Sequence, residues 1–146
     1  MTLIPQGVII AKYKERYLAT KLKRDPIKYV RDKAKAGYNK GTECFICGST
    51  ERLDFHHFYT LTPLFNKWLR ANKLPTNTED DVLAVRDEFI ANHKPELYDF
   101  AVTLCHEHHL KLHSIYGKDP PLVTATKQMN WVKIQREKNE LPKLDD

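Results

Sequence analysis

The run Leu104-Cys105-His106-Glu107-His108-His109-Leu110-Lys111-Leu112-His113 decides how this chain is read, because ten residues carry one thiol and four imidazoles. The pattern from His106 to Tyr116 predicts a helix stopped by Gly117, with Asp119-Pro120-Pro121 forbidding continuation. Residues three or four apart share a helix face, so Cys105 pairs with His108, and His109 stacks with His113. Just upstream, Phe100–Leu104 (FAVTL) reads as a strand, and Leu53–Phe58 (LDFHHF) reads as its partner. Side chains alternate along a strand, so the neighbours His56 and His57 point to opposite faces.

Further out, Cys44-Phe45-Ile46-Cys47-Gly48 has the form of a zinc knuckle, whose intervening turn aims both sulfurs inward and whose glycine relieves backbone crowding. With Cys105 and His108 it completes three thiolates and one imidazole, a closed tetrahedral set of the structural kind. The chain holds three cysteines, which cannot all pair internally, and this argues against a disulfide framework. The competing readings are a redox Cys-x-x-Cys and three unrelated buried thiols.

A strand packed on the helix would bring His56 to a shared cation with His109 and His113, leaving positions open for a phosphate oxygen and water. His57 would project from the other side toward substrate, where a neutral imidazole can take a proton from water. A lone histidine is usually a satisfied structural residue, but this clustering beside a knuckle points to chemistry. His106 lies on the face of His109 and His113, one turn earlier, and is assigned no essential role; His93 sits in no motif and reads as surface or packing.

The rest of the chain reads as helices around this centre. Ile10, Tyr13, Tyr17, Leu18 and Leu22 make a helical stripe; Asp25-Pro26 starts a second helix that Gly37 ends. Between the strands, Thr62-Pro63 starts a helix carrying Leu64, Phe65, Trp68 and Leu69, and Thr78 caps another with stripe Val82, Val85 and Phe89. A last helix is expected from about Lys127 to Lys138, with Trp131 and Ile134 facing inward. We expect a single domain: a basic helical arm over 1–40, a core over 41–117 with a helical insertion over 60–97, and a C-terminal helix and tail over 118–146.

Charge divides the chain. Residues 12–40 carry eleven Lys/Arg against three acids, and residues 76–104 carry two bases against seven acids, within an overall charge of +5. A basic end suits a polyanion, most simply nucleic acid, and a solvated helix face is the plain alternative. Lys21, Lys23, Arg24, Lys28, Arg31, Lys33 and Lys35 are the candidate phosphate contacts. The acidic stretch 79–99 could dock a protein partner, although charge alone suggests it. No leader-like segment and no apolar run of membrane-spanning length is seen, so a cytoplasmic protein is expected.

The knuckle, LDFHHF and LCHEHHLKLH together resemble the HNH endonucleases. The resemblance implies an α+β fold with a ββα-metal core and structural zinc, flanked by N-terminal basic helices, the insertion and a C-terminal helix. It implies that His57 is the general base, that His56, His109 and His113 hold the catalytic ion, and that Cys44, Cys47, Cys105 and His108 hold zinc. Family members often place an Asn before the second strand to brace the loop carrying the base; Phe100 stands here, beside Asp99. Asp99 substitutes, or Asn92 or Asn66 folds back, or the brace is absent.

The activity implied is hydrolysis of a DNA phosphodiester with magnesium or manganese, nicking as a monomer, with nickel or zinc also suited to three imidazoles. A phage or bacterial source follows from the same likeness. The rivals are a zinc-stabilised DNA- or protein-binding module without turnover, and a redox protein using Cys44 and Cys47.

Overall fold

The computed structural model describes residue 22 and residues 24–140. Ile10, Tyr13, Tyr17 and Leu18 of the first expected helix, together with Lys21 and Lys23 as phosphate contacts, lie outside the described residues. The first element is α1 (Pro26–Lys35), where Pro26 at the first position supplies a preset φ and Val30 and Ala34 are fully buried. Asp25 occupies the N-cap position with extended backbone, but its side chain makes no capping bond.

Strand β1 (Leu53–His57) is followed by α2 (Leu61–Asn72), α3 (Glu79–Asn92) and one π-helical turn, Pro95–Asp99, that leads into β2 (Ala101–Cys105). Helix α4 (His106–Tyr116) follows β2 without a break, and after a short 3-10 turn (Leu122–Thr124) α5 (Ala125–Lys138) completes the order. Each strand lies within a residue of its expected bounds. The Thr78 hydroxyl accepts from the Asp81 backbone N–H at 3.2 Å and caps α3. The acids Glu79, Asp80 and Asp81 fill the first turn of α3, where the helix dipole favours negative charge.

The described residues group into two compact units. One takes those up to Ala36 together with Phe65–His93; there α1 packs on α3, and Phe89 meets the Phe65 and Trp68 rings edge-on. His93, read from the sequence as surface or packing, stacks on Phe89 with ring centroids 4.3 Å apart.

The second unit, Gly37–Leu64 with Lys94 onward, contains the hairpin, both cysteine pairs and the histidines of α4. β1 and β2 pair antiparallel with Leu53 opposite Cys105 and His57 opposite Ala101. Ile46, Phe58, Leu104, Leu112, Ala125 and Val132 form its core. The knuckle docks on the sheet through Phe45 N–H to Thr103 O at 2.9 Å, and the Arg136 guanidinium of α5 lies 4.7 Å over the Phe45 ring.

One inward assignment fails. Trp131 is half-buried against the core, but Ile134 is 49% exposed, because α5 turns Ala125, Gln128 and Val132 to the core instead. The apolar pattern of α5 is too weak to show its buried face, since one of the three buried positions is a glutamine.

Candidate metal centres

The knuckle is built by its backbone. Cys44 N–H donates to Ser49 O at 2.8 Å and Gly48 N–H to Cys44 O at 2.9 Å, closing a tight turn in which Gly48 adopts φ +76°. The turn sets Cys44 and Cys47 beside Cys105, the last residue of β2, and His108, in the first turn of α4. The four donor atoms lie within 4.8 Å of one another. Cys47 Sγ is 3.9 Å from Cys105 Sγ, and His108 Nδ1 is 3.2 Å from Cys105 Sγ and 3.9 Å from Cys44 Sγ.

Tetrahedral zinc, with bonds of about 2.3 Å to sulfur and 2.0–2.1 Å to nitrogen, spaces its ligands by roughly 3.5–3.8 Å. The set fits that ion. Without a cation the sulfurs oppose one another. Burial pushes the Cys47 thiol up to about 11, with the Cys44 sulfur adding to the rise. Burial also raises the Cys44 thiol, but backbone N–H groups of Cys105, Cys47 and Ile46 outweigh it and leave Cys44 below the usual range.

The second cluster joins β1 to α4. His56 is 3% exposed on β1, and its Nδ1 lies 3.1 Å from His109 Nε2, which lies 3.0 Å from His113 Nε2. Each ring turns its other nitrogen to an acceptor. His56 Nε2 faces Gln128 Oε1 at 2.8 Å, His109 Nδ1 faces Asp54 Oδ2 at 3.1 Å, and His113 Nδ1 faces Gly117 O at 2.8 Å. The outer nitrogens therefore carry the protons, and three lone pairs point at one another.

Such an arrangement repels itself unless a cation lies between, and nitrogen ligands about 2.1 Å from one ion stand roughly 3.0–3.4 Å apart. The imidazoles fit a divalent metal. Burial favours the neutral form, which a ligand needs, at two of them: His56 is pushed down to about 3, and His109 also lies below its usual range.

Asp54 escaped the sequence reading. It stands two residues before His56, on the same strand face, and its Oδ2 accepts from both His109 Nδ1 and His106 Nδ1 at 3.1 Å. Burial would raise its carboxyl, but those two hydrogen bonds outweigh the effect and hold it below 3.8. Strand alternation was the signal that could have found it. Gln128 had no such signal.

His57 points away from the cluster into an aromatic group, with Tyr38 centred 4.6 Å away and Phe55 5.3 Å away, both edge-on. The Leu97 carbonyl, in the π-helical turn, accepts a hydrogen bond from the ring. Nε2 is buried with no partner among the described residues, so the bond to Leu97 uses Nδ1. Burial pushes His57 down to about 4, and the ring is neutral at pH 7 with its lone pair on Nε2.

Of the side chains considered for the brace, Asn92 Nδ2 donates to Glu88 O within α3, and Asp99 is exposed. The loop is instead tied by backbone, with Phe58 N–H donating to Phe100 O at 3.1 Å and Phe100 N–H to Pro95 O at 2.8 Å.

Among the basic candidates, Lys28, Arg31, Lys33 and Lys35 are exposed on α1. Arg24 is engaged, paired with Asp32 at 2.7 Å and lying 5.2 Å over the Tyr29 ring.

No helix among the described residues is long and apolar enough to cross a membrane. No solved structure matches the chain. The family model described as the nicking endonuclease family matches residues 17–142, a span that takes in the knuckle, the hairpin, the histidines of α4 and all of α5. On that match the chain belongs to the phage T5 nicking endonuclease family and is a DNA endonuclease.

Proposed function

We propose that the protein nicks duplex DNA from an HNH-type ββα-metal core, with one divalent ion held by His56, His109 and His113, His57 as general base, and zinc clamped by Cys44, Cys47, Cys105 and His108. The observation that carries the reading is the convergence of three imidazole lone pairs, each backed by an acceptor on the far side of its ring. Magnesium or manganese there supplies Lewis acidity to the scissile phosphate and its 3′ leaving oxygen, and the same donors suit nickel or zinc by softness.

The chain's own residues do the rest. The Leu97 carbonyl holds the His57 ring so that Nε2 can accept a proton from the attacking water. That nitrogen is buried in the free protein, so the aromatic packing around it has to loosen when DNA arrives. An incoming phosphate then raises the basicity of the ring, because a nearby negative charge favours the protonated form.

The base and the ion ligands occupy opposite faces of β1, with the scissile phosphate placed at the end of the hairpin where both are within reach. Exposed Lys28, Arg31, Lys33 and Lys35, with Arg24, Lys21 and Lys23, provide phosphate contacts that carry no sequence information.

Supercoiled plasmid incubated with the purified protein in magnesium or manganese tests the reading. Open circles should accumulate before any linear product, and a chelator should stop the reaction. A protein that retards DNA yet leaves it uncut with every divalent ion is a binding module instead.

A further inference from the structure

We propose that Gln128 and Thr124 of the C-terminal segment are positioning residues that lock the tautomer of His56, so that Nδ1 alone is offered to the three-histidine cluster. A chain of hydrogen bonds runs from Pro121 to His56, and its direction is fixed from one end. The Thr124 hydroxyl donates to the Pro121 carbonyl at 2.7 Å, so its oxygen is left to accept. It accepts from Gln128 Nε2 at 2.9 Å, which turns the amide oxygen of Gln128 toward His56. That oxygen is an acceptor and lies 2.8 Å from His56 Nε2, which must carry the proton.

The lone pair of His56 is thereby confined to Nδ1, 3.1 Å from His109 Nε2. Gln128 and His56 are both buried, at 0% and 3% exposure, so no water competes for the amide and the polarity of the chain is not averaged away. The opposite tautomer would set an N–H against the neighbouring imidazole and leave the Gln128 oxygen unsatisfied inside the core, a cost that holds the ring in one state. The two residues act through His56 and touch no reacting atom. The consequence for metal affinity rests on the reading of His56, His109 and His113 as an ion site; the tautomer itself does not.

Two measurements on the full chain decide it. Nitrogen-15 NMR of histidine-labelled protein carrying one equivalent of zinc and no second ion reads the tautomer, and a manganese or cobalt titration reads affinity. Wild type should show His56 protonated at Nε2. Thr124→Val, which removes the anchor and keeps the shape, should populate both tautomers and weaken ion binding several-fold. Gln128→Leu should weaken it about 10- to 100-fold, the usual effect of losing a group that orients a metal-bound histidine. Gln128→Glu, which restores an acceptor, should recover most of that loss.

A merely structural role predicts equal loss of thermal stability in Gln128→Leu and Gln128→Glu, with no difference in affinity. The proposal is overturned if wild-type His56 is protonated at Nδ1, or if the ion binds Gln128→Leu and wild type alike. Failure of wild type to bind any divalent ion at the histidines would overturn the metal reading instead, with the tautomer result still deciding this one.

Discussion

The cysteine end and the histidine end of the second unit share a hairpin and a helix, yet they are supported in opposite ways. At the cysteine end, backbone N–H groups of Cys105, Cys47 and Ile46 point at sulfur, and all four donors face inward. At the histidine end, acceptors stand behind the rings: Gln128 Oε1, Asp54 Oδ2 and Gly117 O. Donors aimed at sulfur stabilise negative charge and suit a permanent closed site, whereas acceptors behind imidazoles fix rings that must stay neutral and leave coordination positions open. The comparison teaches that the surroundings of a donor set, as much as its members, separate a folding device from a reactive one.

The largest break is expected at the closed site. Cys44→Ser or Cys105→Ser should abolish cooperative unfolding and lose zinc, since a structural ion contributes folding free energy directly. Circular dichroism melts with elemental analysis report both. His57→Ala should leave the fold and zinc content intact while slowing plasmid nicking about 10²- to 10⁴-fold, the range for loss of a general base. Unfolding of that variant would remove His57 from the catalytic role.

Next in size is the support of the open site. Asp54→Ala frees both His109 and His106, and should weaken manganese binding by roughly 10- to 100-fold with little change in zinc content.

Acid should act on the histidine end in a defined window. His56 and His57 lie at about 3 and about 4 when folded, below the ordinary 6.5, so the unfolded chain binds more protons as pH falls. Their contribution to stability is complete above 6.5 and is lost on the way down toward 4 and 3. Urea midpoints should be flat from pH 7 to 8.5 and fall steadily from 6.5 to 4; equal midpoints at pH 7 and 5 would contradict this.

The smallest change belongs to α1. Replacing exposed Lys28 or Arg31 by Ala should lower the salt slope of DNA binding by about one each, uniformly across sequences.

The sequence made much of this centre readable, because ligand spacing is a local property. The Cys44-x-x-Cys47 turn, the three-residue step from Cys105 to His108 and the four-residue step from His109 to His113 are set by backbone geometry that the sequence specifies nearby. Helix α4 stops at Tyr116 before Gly117, as the glycine and Asp119-Pro120-Pro121 imply. What escaped was tertiary. The acceptor for His57 is a backbone carbonyl in a π-helical turn, which carries no side-chain signature. Gln128 arrives from a helix 72 residues away in sequence from His56. Ile134 was assigned inward because an apolar residue on a weakly patterned helix invites it, while Gln128 took the buried face through its hydrogen bonds.

We propose that two independent metal centres lie side by side, one for the fold and one for the reaction. Metal content and divalent-ion titration of wild type against the variant His56→Ala, His109→Ala, His113→Ala test it most directly. One tightly held zinc is expected in both proteins, with a second, weaker isotherm in wild type alone. Loss of zinc from the triple variant, or matching isotherms in the two proteins, would contradict it.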